Sequence, residues 1–137
     1  MKKITLILLM SIFILSCSKD DDTSNSKISI NPPSWIQGTW VMEVNPYTGA
    51  EMDTYIAYKF TSNNMYILMD GLETNFVEMV KADPSFTLSD IYDVSTSTTY
   101  TIHVKGSGID MVFYEFIKVS SNEIKEGNSD NSIYIKQ

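Results

Sequence analysis

The chain has no arginine; its ten basic residues are all lysine. That excludes the bidentate guanidinium clamp that recognises carboxylates and phosphates in one plane. Cysteine occurs once, at Cys17, so neither an internal disulfide nor a cysteine-based metal site can form within the chain. Histidine also occurs once, at His103. Positive charge is scarce overall: the net charge is −7, which opposes attraction to nucleic acid or anionic lipid. No apolar run reaches the roughly 20 residues of a membrane-spanning helix. Glycine-rich phosphate loops and nucleophile-elbow patterns are absent from the sequence as well.

The most apolar stretch is short and placed at the start. Residues 4–15 follow Lys2 and Lys3 and precede Ser16 and Cys17. A basic start, a short apolar run and a small residue form the pattern of a secretory signal. The tetrapeptide Ile14-Leu15-Ser16-Cys17 resembles the lipobox of bacterial lipoprotein signals. The resemblance implies a signal peptide over residues 1–16, cleavage before Cys17 and lipid attachment at the Cys17 sulfur. It implies a diacylglyceryl group together with an N-terminal acyl chain such as palmitate, and two such signals give stable membrane anchoring. Loss of Lys2 and Lys3 with the leader takes the net charge from −7 to −9. The run Ser18-Lys19-Asp20-Asp21-Asp22 resembles a surface-export signal of Gram-negative lipoproteins. Together these imply an outer-membrane protein, lipid-anchored and displayed at the cell surface.

Residues 17–33 are rich in Ser, Asp, Asn and Lys and end at Pro32-Pro33, which predicts a flexible tether. From residue 34 to 137 the texture changes to short alternating runs. Ile56, Tyr58 and Phe60 alternate with Ala57, Lys59 and Thr61; Tyr100, Ile102 and Val104 alternate with Thr101, His103 and Lys105. Period two, with β-branched and aromatic residues, predicts half-buried strands. Turn residues separate the runs, among them Asp70-Gly71 and Gly106-Ser107-Gly108. The expected fold is all-β, an antiparallel up-and-down barrel of about eight strands near 38–45, 54–61, 64–69, 86–94, 98–105, 110–119, 122–126 and 132–136. Leu72, Phe76, Met79 and Val80 have helical spacing before Asp83-Pro84, which predicts one short helix near 74–82. Both faces of 110–119 are apolar, as a doubly buried strand or a face-swapping bulge requires.

Gly38-Thr39-Trp40, at the start of the first strand, resembles the Gly-X-Trp motif of lipocalins and of lipocalin-like domains in bacterial lipoproteins. The run Tyr58-Lys59-Phe60-Thr61-Ser62-Asn63-Asn64-Met65-Tyr66 resembles their second and third strands. The resemblance covers residues 35–137. It implies a small barrel in which Trp40 packs across one end. In that family an arginine of the last strand lies over the tryptophan; here Lys136 is the residue available to do so, through its stem and charge.

An eight-strand barrel is filled by side chains or holds one small ligand. The expected inward, ligand-binding face is Tyr58, Phe60, Tyr66, Leu68, Tyr100, Ile102, Val104, Phe113 and Glu115. Such a lining suits a small hydrophobic or amphipathic ligand; the alternative is a filled core and a non-enzymatic interaction module acting through its outer surface and the loops around 45–53 and 70–96. Glu115 is the charge that would demand a partner if buried. Met65, Met69 and Met79 are expected in the core or at the barrel entrance. His103 falls on the polar face of its strand, and Asp90 and Asp93 flank Ile91-Tyr92 as solvated residues. No catalytic constellation, metal site or cofactor site emerges, and the expectation is a protein without enzymatic activity, cofactor or nucleic-acid partner.

Overall fold

The computed structural model describes residues 28–42, 56–84, 87–127 and 132–137. Cys17 and most of the expected tether lie outside the described residues, as do the loop at 45–53 and the whole expected signal region. The strands in chain order are β1 (Gly38–Val41), β2 (Ala57–Phe60), β3 (Met65–Met69), β4 (Leu72–Asn75), β5 (Leu88–Ser95), β6 (Thr99–Gly106), β7 (Ile109–Lys118), β8 (Glu123–Glu126) and β9 (Ile133–Lys136). Among the described residues a single helix, α1 (Phe76–Ala82), stands between β4 and β5. All nine strands form one antiparallel sheet in the order β4-β3-β2-β1-β9-β8-β7-β6-β5. Chain neighbours are sheet neighbours except β4 and β5, which the helix separates, and β1 meets β9 where the two ends of the domain come together.

The antiparallel up-and-down order and the short helix are as the sequence predicts. Nine strands stand in place of about eight, curled as a half-barrel. The additional strand is β4, whose Leu-Glu-Thr-Asn sequence is mostly exposed and carries no alternation. β4 and β5 are the two ends of the sheet, and α1 packs against β3, β4 and β5 across the seam between them. Asn75 caps the helix by accepting the Glu78 amide at 3.1 Å, and Asp83 closes it through its amide to the Val80 carbonyl. The helix buries Phe76, Val77 and Val80. Leu72 and Met79, expected on that face, are 72% and 38% exposed, because Leu72 belongs to β4 and Val77 takes the inward place.

Two hairpins turn through paired left-handed residues. Asp70 and Gly71 have φ of 51° and 78°; Ser107 and Gly108 have φ of 50° and 79°. Two-residue turns with both φ positive match the right-handed strand twist, which explains why Gly follows Asp or Ser there.

The packed domain begins earlier than residue 34. Ile28 pairs in parallel with Ile91 on the outer edge of β5, and the Ser29 amide donates to the Ile91 carbonyl at 3.1 Å. The Asn31 amide donates to Asp93 Oδ2 at 2.8 Å, and Ile30 is fully buried. Residues 28–33, assigned above to the tether, therefore cover the free edge of β5 and protect it from pairing with another chain. The segment continues into Trp35, whose indole donates to the Thr96 carbonyl at 3.1 Å, and into the fully buried Ile36. Ile30→Ala is expected to cost about 2–5 kcal/mol in urea unfolding. A tether residue would cost nothing measurable.

Candidate functional site

The concave side of the sheet is lined by rings. Residues directly opposite in an antiparallel pair share a face, and the register of β2, β6, β7 and β9 brings Tyr58, Phe60, Tyr100, Phe116 and Tyr134 to it, all between 0% and 4% exposed. Tyr58 lies 5.0 Å from Tyr134 and 5.2 Å from Phe116, ring centre to ring centre. Phe60 lies 5.1 Å from Phe116 and 6.0 Å from Tyr100. From α1, Phe76 reaches in to 5.5 Å from Tyr114. These are edge-to-face and tilted contacts at packing distance. Ile91, Ile102, Val104 and Ile124 complete the same core.

Trp40 joins the core from β1, directly opposite Tyr58. Its ring is fully buried, and its indole N–H donates to the Ile36 carbonyl. Lys136, paired with Trp40 across β1 and β9, holds its Nζ 5.1 Å from the ring centre. Gly38 makes this possible: a Cβ there would stand 2.8 Å from Lys136 Cε, and its φ of +123° is open chiefly to glycine. The Gly-X-Trp spacing thus has a local cause. Two residues before the tryptophan, the missing side chain leaves the path along which the lysine stem crosses.

Glu126 faces inward from β8 together with Ile124, because Ile124 pairs with Tyr134 and Glu126 with Phe116. Its Oε2 accepts the hydroxyls of both Tyr58 and Tyr134 at 2.9 Å. Burial, then the neighbouring Tyr134 and Glu126, push the Tyr58 phenol far above its usual range. Burial and Glu126 do the same to Tyr134. Tyr114 is raised by burial and by Glu126, although Tyr58 partly offsets this. These phenols are therefore neutral donors, and the cluster is a carboxylate solvated by hydroxyls. It offers hydrogen bonds and one negative charge, not a nucleophile. Tyr58→Phe and Tyr134→Phe are each expected to cost about 1–3 kcal/mol. Because both hydroxyls reach the same oxygen, a double-mutant cycle by urea unfolding is expected to show coupling above about 0.5 kcal/mol.

A second enclosed hydroxyl belongs to Tyr100. Among the described residues it makes no hydrogen bond of standard geometry, and the acceptor beside it is the Asp93 carboxylate. Burial first and the Asp93 carboxylate second raise its phenol well above the ordinary range.

Of the residues expected to line the interior, Tyr58, Phe60, Tyr100, Ile102 and Val104 are there. Tyr66 and Leu68 are not. Met65 pairs with Phe60 and Ile67 with Tyr58, so Met65 and Ile67 face inward, while Tyr66 pairs with Lys59 and lies under its Nζ at 5.3 Å on the outside. Leu68 pairs with Glu73 on that outer face. Phe113 sits at a register shift between β6 and β7, the face-swapping bulge that the sequence allows. It is 43% exposed and leans on Phe76 at 5.3 Å. Beyond the bulge Tyr114 and Phe116 face in, and Glu115 pairs with Thr101 on the outer face. The inward carboxylate is Glu126, which sequence reasoning missed; its signal was its place two residues after Ile124 in a period-two strand.

On the outer face, His103 stacks on Tyr92 with ring centres 4.7 Å apart. Asp110 bridges the pair, 3.5 Å from His103 Nδ1 and accepting the Tyr92 hydroxyl at 2.9 Å. Asp90 and Asp93 lie on opposite faces, Asp90 paired with Lys105 and Asp93 with Ile102, so they form no carboxylate pair. Among the described residues no group of three His, Cys, Asp or Glu is placed to hold a metal ion.

The chain matches no family model, no curated protein and no solved structure.

Proposed function

We propose that this chain is a lipid-anchored envelope protein whose half-barrel has a filled core and serves as a non-enzymatic interaction module. One observation carries the choice between carrier and module. Tyr58, Phe60, Tyr100, Phe116 and Tyr134 pack against one another on the concave side at ring-centre distances of 5.0–6.0 Å, which supports a filled core over a ligand chamber. The anchoring rests on the leader, with Lys2, Lys3, the apolar residues 4–15 and the Ser16-Cys17 pair. The placement at the cell surface rests on the acidic run after Cys17.

Native mass spectrometry of protein purified with its lipids, with a thermal-shift screen of fatty acids and hydrophobic metabolites, tests the module reading. The expected result is no co-purifying interior ligand and no stabilisation; a saturable one-to-one ligand would establish the carrier reading instead. Cys17→Ser is expected to move the protein from the membrane to the soluble fraction. Unchanged membrane partition would overturn the lipid anchor.

A further inference from the structure

We propose that Glu126, framed by Tyr58, Tyr114 and Tyr134, is a socket for the basic side chain, lysine or arginine, of a protein partner. The inference rests on the interaction-module reading and names the chemistry of its partner. Glu126 is half-buried and faces the concave side. Two phenols spend their hydroxyls on one of its oxygens, Oε2. The half-buried Tyr114 ring stands 5.6 Å from Tyr58, and the exposed ring of Phe113 adjoins it at 5.4 Å. A negative charge beside aromatic rings is the setting that favours an ammonium or guanidinium group, by charge-assisted hydrogen bonding and by attraction to the ring faces.

Four of the described lysines are engaged elsewhere. Lys136 lies over Trp40, Lys118 over Trp35, and Lys59 and Lys81 pair with Glu73 and Glu78. No ion pair joins a lysine to Glu126 among the described residues. The chain as a whole carries −7 and no arginine, so the complementary charge is one it lacks itself. Tyr58, Phe116 and Tyr134 pack ring to ring behind the carboxylate, so the approach is from the half-exposed side and suits one extended side chain.

The test is an NMR titration of the full chain in neutral detergent micelles. The probes are N-acetyl-lysine-N-methylamide and its norleucine analogue, which keeps the stem and drops the charge. Saturable shifts of the Tyr58, Tyr114 and Tyr134 ring signals are expected with the lysine probe and not with norleucine. Glu126→Gln, whose amide oxygen still accepts the two phenols, is expected to weaken the lysine probe at least tenfold. No response to lysine, an equal response to norleucine, or unchanged binding in Glu126→Gln would overturn the socket. The probe comparison needs only the natural chain, so it decides the matter even if the variant does not fold. A hydrophobic ligand found in the interior would overturn the module reading, a result separate from this titration.

Discussion

Above pH 10 the protein is expected to unfold steeply. Tyr58, Tyr100 and Tyr134 are enclosed, and burial is the largest cause that raises each phenol in the folded chain. In the unfolded chain a phenol ionises near 10. The stability these groups contribute is therefore fully present below about pH 10 and is lost as pH rises beyond it, because the unfolded state releases protons that the folded state retains. Each such group lowers stability by about 1.4 kcal/mol per pH unit in that window, so three together approach about 4 kcal/mol per unit. A domain of ordinary stability, about 5–15 kcal/mol, survives only a few units of this. Tyrosinate absorbance and far-ultraviolet circular dichroism should change together. Ionisation of all the tyrosines near pH 10 with the fold intact would show that these phenols are not enclosed.

Replacing Trp40 by alanine is expected to cost about 3–5 kcal/mol, as large aromatic-to-alanine changes in a core do. Trp40 is fully buried, holds the Ile36 carbonyl and is covered by Lys136. Two neighbours separate the sources of that cost. Lys136→Met keeps the aliphatic cover and removes the charge, with an expected loss of about 0.5–1 kcal/mol. Gly38→Ala sets a side chain at φ +123° and against Lys136 Cε, with an expected loss of about 1–3 kcal/mol. Urea midpoints measure all three. A Trp40→Ala loss below about 1 kcal/mol would mean that Trp40 is not packed in the core.

How far the sequence spoke depends on the strand. In β6, apolar Tyr100, Ile102 and Val104 alternate with polar Thr101, His103 and Lys105, so the phase was unambiguous and the structure agrees. In β3 every residue from Met65 to Met69 is apolar or aromatic, so period two had no phase to read. The pairing of Phe60 with Met65 sets it, and the inward pair became Met65 and Ile67 instead of Tyr66 and Leu68. In β7 the bulge at Phe113 moves the inward set from one parity to the other, which is why Glu115 turned outward. A one-residue slip exchanges every side chain between faces. Ile28 and Ile30 did alternate with polar neighbours, but a Ser- and Asn-rich surrounding hid the strand-like pairing with β5. Glu126 was illegible for a different reason. A glutamate beside a lysine in a short strand reads as solvated, and only the two phenols brought from β2 and β9 make its burial tolerable.

The filled interior is tested most directly by xenon. Dissolved xenon enters dry apolar cavities and shifts the methyl signals of the residues that line them. With methyl-labelled protein under xenon pressure, the resonances of Ile91, Ile102, Val104 and Ile124 are predicted to stay where they are. Saturable shifts at these four residues would reveal an empty chamber behind the rings and contradict the account.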